Sequence, residues 1–196
     1  MSTQPQPFLT PEQYLEIERK AEFRSEYYRG EMFAMAGASF RHTVIIANLS
    51  HIFRNSLGVG CFVLTQDLRV ATSPDGLYCY PDLIVVCGQP GFLDAQQDTL
   101  TNPLIIVEVL SPSTAGYDRG AKFELYRAIP SLREYIIVAQ DRVHVEVHSR
   151  QPDGRWMLAE SGSLEDTIRV PSVQIDIAVR DIYDQVAFGS RSGYSE

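Results

Sequence analysis

Apolar residues recur at helical spacing in two stretches of the N-terminal third of the chain. Thr10 can act as an N-cap, Pro11 suits the first helical position and Gln13 completes a capping box. The stripe of this first predicted helix is Tyr14, Ile17 and Ala21. Ser39 opens a second predicted helix, which Gly58 and Gly60 close. Its stripe is Ile45, Ile46, Leu49, Ile52 and Phe53.

Alternating or continuous apolar runs predict strands in most of the remaining chain. The predicted strands are 26–35, as two short strands around an Arg29-Gly30 turn, then 61–71, 78–86, 104–110, 134–138, 143–148, 155–159 and 168–170. The near-continuous run 104–110 is typical of a central strand covered on both faces. Further helices are predicted at 118–129, before Pro130, and near 181–187. This order predicts an α/β fold with a central mixed sheet flanked by helices and with additional hairpins.

Length and composition favour one soluble domain. The chain has 196 residues, of which 44% are hydrophobic and 21% charged. We expect a single domain over residues 1–196, with 1–7 and 190–196 as flexible tails. The sequence has neither a signal peptide nor an apolar run of membrane-spanning length, so a cytoplasmic location and no membrane partner are expected. A net charge of −8 argues against nonspecific coating of nucleic acid, but it allows a local basic cleft.

Two groups of metal-binding residue types are interpreted as structural. Cys61, Cys79 and Cys87 lack metal-ligand spacing, and we expect them to pack as small apolar residues. His144, Glu146 and His148 alternate along one strand face, as a metal trio would. Because the valines between them already supply a buried face, we expect this trio to be exposed to solvent.

Two acids interrupt strands that are otherwise apolar. Glu108 lies within the run 104–110 and shares its face with Ile106 and Leu110. A carboxylate in a buried strand is costly unless it is paired or bound to a cation, so a buried ion pair and a functional site are the two readings. Asp82 follows Pro81 at the start of another apolar run, where it is either a turn residue or part of a site. Two carboxylates on neighbouring strands would form the oxygen-rich environment that Mg²⁺ prefers.

The helix after Glu108 carries two candidate cations. Lys122 shares a stripe with Leu125, Tyr126 and Ile129, the face that would pack on the sheet. It either extends its amine to solvent or faces the two carboxylates. Arg119 lies one turn earlier and either contacts phosphate or is a solvated helix residue.

Two further residues each have one functional and one structural interpretation. His42, near the start of the second helix, either contacts phosphate or caps the helix. Glu31 follows Gly30 at the start of a strand and is either an additional metal ligand or a turn residue.

These residues carry a resemblance to a known family. Tyr80-Pro81-Asp82, followed by the segment from Ile106 to Thr114 (Ile-Val-Glu-Val-Leu-Ser-Pro-Ser-Thr), resembles the Uma2 family of endonucleases. Further matching features are Glu26-Tyr27 with Gly30-Glu31, Met35-Ala36-Gly37-Ala38-Ser39 before His42, and Lys122 to Tyr126. The resemblance covers about residues 9–150 and places the chain in the PD-(D/E)xK, restriction-endonuclease-like superfamily.

The resemblance implies an active site and a reaction. Asp82, Glu108 and Lys122 would be catalytic, and Asp82, Glu108, Glu31 and the Val109 carbonyl would bind Mg²⁺ or Mn²⁺. From their positions in the sequence, His42 and Arg119 remain the candidate substrate-binding residues. The lysine that the parent motif has two residues after the glutamate is Leu110 here, and Lys122 would replace it from the following helix.

The implied function is metal-dependent hydrolysis of nucleic acid, DNA in the first place, by a homodimer. Two alternatives stay open: a noncatalytic nuclease-like binding module, and a phosphodiesterase acting on a small nucleotide. An open basic groove would favour a polynucleotide substrate, and a closed pocket would favour a small one.

Overall fold

The computed structural model describes residues 8–35, 37–111 and 114–188. The helices are α1 (Pro11–Glu18), α2 (Phe40–Ser56), α3 (Ala115–Tyr117), α4 (Phe123–Tyr126) and α5 (Val179–Ile182), with a π-helical turn at Asp118–Lys122 and a 3₁₀ turn at Pro171–Val173. The strands are β1 (Ser25–Tyr28), β2 (Glu31–Ala34), β3 (Cys61–Thr65), β4 (Arg69–Ala71), β5 (Tyr78–Cys79), β6 (Leu83–Cys87), β7 (Thr99–Leu100), β8 (Ile105–Leu110), β9 (Glu134–Ala139), β10 (Val145–Arg150), β11 (Trp156–Ser161), β12 (Thr167–Val170) and β13 (Ile175–Ala178). Within these ranges, no helix has the length and hydropathy of a membrane span.

A six-stranded mixed sheet in the order β11-β10-β9-β8-β6-β3 forms the centre of the fold. β8 pairs parallel with β9 and antiparallel with β6, and all six of its residues are buried. The prediction of a central strand at 104–110 is therefore confirmed, and Glu108 is buried within that strand.

Apolar clusters cover both faces of this sheet. On one face, α2, α5 and the β12–β13 hairpin pack against residues such as Val85, Val107 and Val147. On the other face, Tyr126 and Ile129 pack against Ile84 and Ile106. The stripe predicted on the helix after Glu108 thus faces the sheet, and this packing fixes the side on which Lys122 lies.

A second, five-stranded sheet has the strand order β2-β1-β5-β4-β7. The β1–β2 hairpin turns at Arg29 and Gly30, both of which have positive φ. The capping box of α1 and the Ser39 N-cap of α2 are confirmed, since Gln13 N–H donates to Thr10 Oγ1 and His42 N–H donates to Ser39 Oγ.

Four predictions about elements were wrong in detail. The run 61–71 is two strands in different sheets, and 78–86 is also two strands, separated at Pro81. The segment 118–129 begins earlier, at Ala115, and contains a π-helical turn. In α1 the buried positions are Tyr14, Leu15 and Glu18, whereas Ile17 is exposed.

The interpretations of the cysteines and of the histidine-glutamate trio also need correction. Cys61 and Cys87 form a disulfide between β3 and β6, and only Cys79 is a free, buried thiol. Glu146 is buried, and His144 and His148 are partly buried rather than exposed. The reason is that Arg119 and Phe123 cover this face of β10 while the valines pack into the core on the other.

Candidate active site

Two carboxylates meet where β6 and β8 lie side by side. The antiparallel register pairs Leu83 with Val107, so one further step places Asp82 opposite Glu108. The backbone N–H of Val109 donates to Asp82 Oδ2 at 2.7 Å and fixes the aspartate against β8. The strand pairing therefore brings together the two acids that the sequence singled out.

Asp82 also contacts α2. His42 Nε2 lies 3.0 Å from Asp82 Oδ1, and Gln66 donates to the same oxygen at 3.3 Å. Because the Ser39 cap sets the first turn of α2, it also sets the position of the His42 ring. His42 thus lies against a predicted metal ligand, and it is buried.

Lys122 forms ion pairs with the acids of three elements. Its Nζ lies 2.9 Å from Glu108 Oε1, 3.0 Å from Glu26 Oε1 and 3.7 Å from Asp118 Oδ1. Tyr126, one turn later on the same helix, donates its hydroxyl to Glu108 Oε1 at 2.7 Å. The structure therefore places Lys122 in contact with Glu108, as the helical stripe predicts.

Burial disfavours the charged forms of both Glu108 and Lys122, so it acts in opposite directions on their pKa values. Burial raises the pKa of Glu108 to about 8, while the charge of Lys122 opposes the rise and that of Asp82 adds to it. Burial alone would lower the pKa of Lys122, but Glu108 and Glu26 outweigh it and hold the value well above the usual one. Lys122 is thus a permanent cation and a hydrogen-bond donor rather than a base.

Two of the predicted site residues lie away from this cluster. Glu31 is exposed at the turn end of the β1–β2 hairpin, paired in register with Tyr28. Arg119 points to β10, where its Nε donates to Glu146 Oε1 at 2.7 Å. The backbone of Val109 contributes its N–H to Asp82, as described above.

Sequence reasoning missed three members of the cluster: Glu26, Asp118 and the hydroxyl of Tyr126. Asp118 precedes Lys122 by four residues, a spacing that signals an ion pair on a helix. Glu26 had a weaker signal, as an acid on a short strand five residues before Glu31. No local pattern indicates that this hairpin packs its Glu26 side chain onto a distant helix.

The donor set suits a hard divalent cation bound largely by water. Among the described residues, Asp82 and Glu108 do not belong to a set of three His, Cys, Asp or Glu side chains whose ligand atoms all lie within 4.8 Å of one another. Mg²⁺ commonly uses one or two carboxylates and retains several waters, so two acids on neighbouring strands are donors of the type that it prefers.

Comparison with known proteins finds a matching family and two similar proteins from one organism. The profile of a family described as "Uma2: Putative restriction endonuclease" matches residues 11–180. Two relatives come from Synechocystis sp.: "Uncharacterized protein slr1290" is 36% identical over 94% of this chain and 96% of its own length. "Uncharacterized protein sll1609" is 38% identical over 78% of this chain and 86% of its own length.

A solved structure shares the fold. It is described as a "putative nuclease belonging to DUF820" from Anabaena variabilis and superposes with a TM-score of 0.76. The match covers 91% of this chain and 99% of that one at 14% sequence identity. The predicted α/β architecture, with a mixed sheet flanked by helices, is therefore confirmed.

Proposed function

The chain belongs to the Uma2 family, and on that premise we propose that it is a Mg²⁺- or Mn²⁺-dependent endonuclease that hydrolyses phosphodiester bonds of nucleic acid, DNA in the first place. Asp82 and Glu108 would hold the metal, and Lys122 would stabilise charge on the phosphate. The observation that carries the proposal is a buried Glu108 opposite Asp82 with the Lys122 amine 2.9 Å away.

The metal would supply Lewis-acid polarisation of the phosphate and would lower the pKa of a bound water. The protein's own residues provide position and charge. Tyr126 and Lys122 hold one oxygen of Glu108, while Val109 N–H and His42 hold Asp82. Lys122 stays protonated and can offset negative charge that develops on the phosphate oxygens.

The buried charges also argue against a purely structural scaffold. Glu108 and Lys122 are both almost fully buried, and desolvating such groups is expensive. Replacing a buried ion pair by apolar residues is often neutral or stabilising. A fold retained only for binding would not need this cluster.

The proposal includes a homodimer, and the edge of the central sheet supports it. β3 is one of the two terminal strands of the sheet, with Phe62 48% exposed and Val59 fully exposed beside it. An unpaired edge with apolar side chains favours pairing with another chain. Sedimentation equilibrium should show a dimer that Phe62→Glu weakens, and a wild-type monomer at micromolar concentration would contradict this part.

The test of catalysis is cleavage of single- and double-stranded DNA and RNA with Mg²⁺ or Mn²⁺. We expect Asp82→Asn, Glu108→Gln and Lys122→Met each to lower the rate at least about 100-fold, as loss of one charged catalytic group commonly does. His51→Ala is the control, because His51 is exposed on α2 and contacts Asn55. Thermal unfolding shows whether each variant folds. Wild-type activity in the three site variants would refute the assignment.

A further inference from the structure

A second cluster of metal-ligating side chains lies on β10 and its edge neighbour β11. His144 immediately precedes β10, Glu146 lies within it, and Glu160 lies on β11 directly opposite Glu146. The imidazole Nε2 of His144 and one oxygen of each glutamate all lie within 4.8 Å of one another. This cluster shares no residue with the Asp82–Glu108 site.

The distances match those of ligands around one small ion. His144 Nε2 is 3.1 Å from Glu146 Oε1 and 3.5 Å from Glu160 Oε1. Zinc bonds of about 2.0–2.2 Å in tetrahedral geometry place neighbouring ligand atoms roughly 3.3–3.6 Å apart. The distances from His144 to both acids, one of which is now a hydrogen bond, are therefore close to those between ligands that share an ion.

The register of the two strands explains why a cation is favoured. Glu146 and Glu160 are a directly opposed cross-strand pair, and like charges in that position destabilise a sheet. Glu146 is buried, so its charge requires compensation more than a surface charge does. In the structure, Arg119 supplies part of it through the 2.7 Å bond to Glu146.

The site has an entry path and a supporting partner. Side-chain exposure is 22% for His144 and 55% for Glu160, so one side of the cluster is open to solvent. Arg119 is 33% exposed and can rotate away from Glu146. His148 Nε2 lies 3.6 Å from the other oxygen of Glu146, an ion-pair contact on the side away from His144.

We propose that His144, Glu146 and Glu160 form a Zn²⁺ site, with water as the fourth ligand, that links the edge strand β11 to β10. One imidazole and two carboxylates are a mixed nitrogen and oxygen set that suits zinc. The all-oxygen Asp82–Glu108 pair suits Mg²⁺ instead. Arg119 and the ion compete for Glu146, so occupation of the site releases the arginine.

The experiment is calorimetric titration of the chelator-treated full-length chain with Zn²⁺. Wild type is expected to bind one ion at this site, and Glu160→Gln and His144→Ala are each expected to weaken it at least about tenfold. Glu160 is on the surface, so its variant reports on binding even if His144→Ala folds poorly. His51→Ala, which alters an exposed histidine elsewhere, should bind like wild type.

Two further variants separate this site from its alternatives. Arg119→Ala removes the competing guanidinium and is expected to tighten Zn²⁺ binding. Asp82→Asn with Glu108→Gln should leave the zinc affinity unchanged, because the sites share no ligand. The proposal is overturned if wild type binds no Zn²⁺, if Glu160→Gln binds like wild type, if Arg119→Ala weakens binding, or if only the Asp82 and Glu108 variant loses it.

Discussion

At the scale of single residues, the candidate active site holds more acids than bases. Lys122 contacts Glu108, Glu26 and Asp118, and Asp82 lies opposite Glu108 with His42 as its neighbour. Burial raises the pKa of Asp118 as well as that of Glu108, with Lys122 opposing both shifts. One permanent cation among four carboxyl groups leaves the cluster receptive to a divalent ion or to protons.

The first prediction concerns the pH dependence of metal binding. Burial raises the pKa of Glu108 to about 8, so a divalent ion that binds this carboxylate is expected to release protons near neutral pH. Mg²⁺ affinity should therefore rise with pH and level off above about 8. The free energy of unfolding of the metal-free protein should change in the opposite direction. The native state holds this proton more tightly than the unfolded chain, so stability falls as pH rises towards 8.

The measurement is the Mn²⁺ or Mg²⁺ dissociation constant by calorimetry at a series of pH values. Proton release is obtained from buffers of different ionisation enthalpy. Glu108→Gln is the control, since an amide cannot titrate and should remove the pH dependence. An affinity that stays constant from about pH 6 to 9 would contradict the prediction, because it would mean that metal binding releases no proton from Glu108.

The residues that a sequence can reveal here are those that violate a local rule. Glu108 stands out because a charge interrupts an apolar strand, and Lys122 because an amine shares a packing stripe. Glu26 breaks no such rule, and only the packing of the β1–β2 hairpin on the helix brings it to Lys122. Glu31, its neighbour in the same hairpin, has an equally plausible sequence context but lies at the exposed turn.

At the scale of elements, the π-helical turn Asp118–Lys122 decides which helical side chains face the sheet. It widens the helix between α3 and α4, and Tyr135 donates its hydroxyl to the carbonyl of Asp118 at 3.1 Å. Such turns are rare and often lie at functional sites. Periodicity at 3.6 residues predicts the stripe after Lys122 but not this change of register before it.

The second prediction tests that turn with a deletion and a substitution at one position. Deleting Gly120 should convert the turn to an α-helix and rotate Asp118 away from Lys122, with loss of most cleavage activity and a folded chain. Gly120→Ala is the matched control: a Cβ there meets no atom within 4 Å, so activity should persist. Cleavage rates and thermal unfolding are the measurements. Full activity of the deletion variant would mean that the register of the turn is unimportant.

The separation of β3 from β4 shows why a run of apolar residues is an incomplete guide. The segment 61–71 has strand character throughout, yet the chain turns at Asp67 and continues into the other sheet. The disulfide between Cys61 and Cys87 fastens the start of β3 to the end of β6. Which sheet a strand joins depends on such long-range partners, and spacing along the chain does not encode them.

The third prediction is the contribution of this disulfide to stability. It closes a loop with a sequence separation of 26 residues, so Cys61→Ser with Cys87→Ser should lower the unfolding free energy by about 3 kcal/mol. Urea unfolding of both proteins measures the difference. A reducing agent should shift wild type towards the variant and leave the double variant unchanged. A wild-type midpoint insensitive to reductant, with full reduction verified by thiol titration, would contradict the prediction.

At the scale of the whole molecule, charge limits how a polynucleotide can be held. The chain carries 17 Lys and Arg against 25 Asp and Glu. Several of these cations are already in ion pairs: Arg19, Arg69, Arg119, Lys122, Arg142, Arg155, Arg169 and Arg180. Binding must therefore use a few local cations near the site, because the surface as a whole repels phosphate.

The fourth prediction is a shallow salt dependence of nucleic-acid binding. Each phosphate neutralised on duplex DNA contributes a slope of about −0.9 to log affinity against log salt. We expect a slope no steeper than about −3 for Glu108→Gln, a variant expected to fold but to cleave slowly.

Arg41 lies beside His42 in the first turn of α2, so Arg41→Ala should reduce the slope by about one. Arg54, in the last turn of the same helix, provides the matched control, and Arg54→Ala should leave the slope unchanged. Fluorescence anisotropy with a labelled duplex measures all three proteins. A slope of about −6 or steeper would require an extensive basic surface, and this chain could supply it only by combining the cations of two subunits.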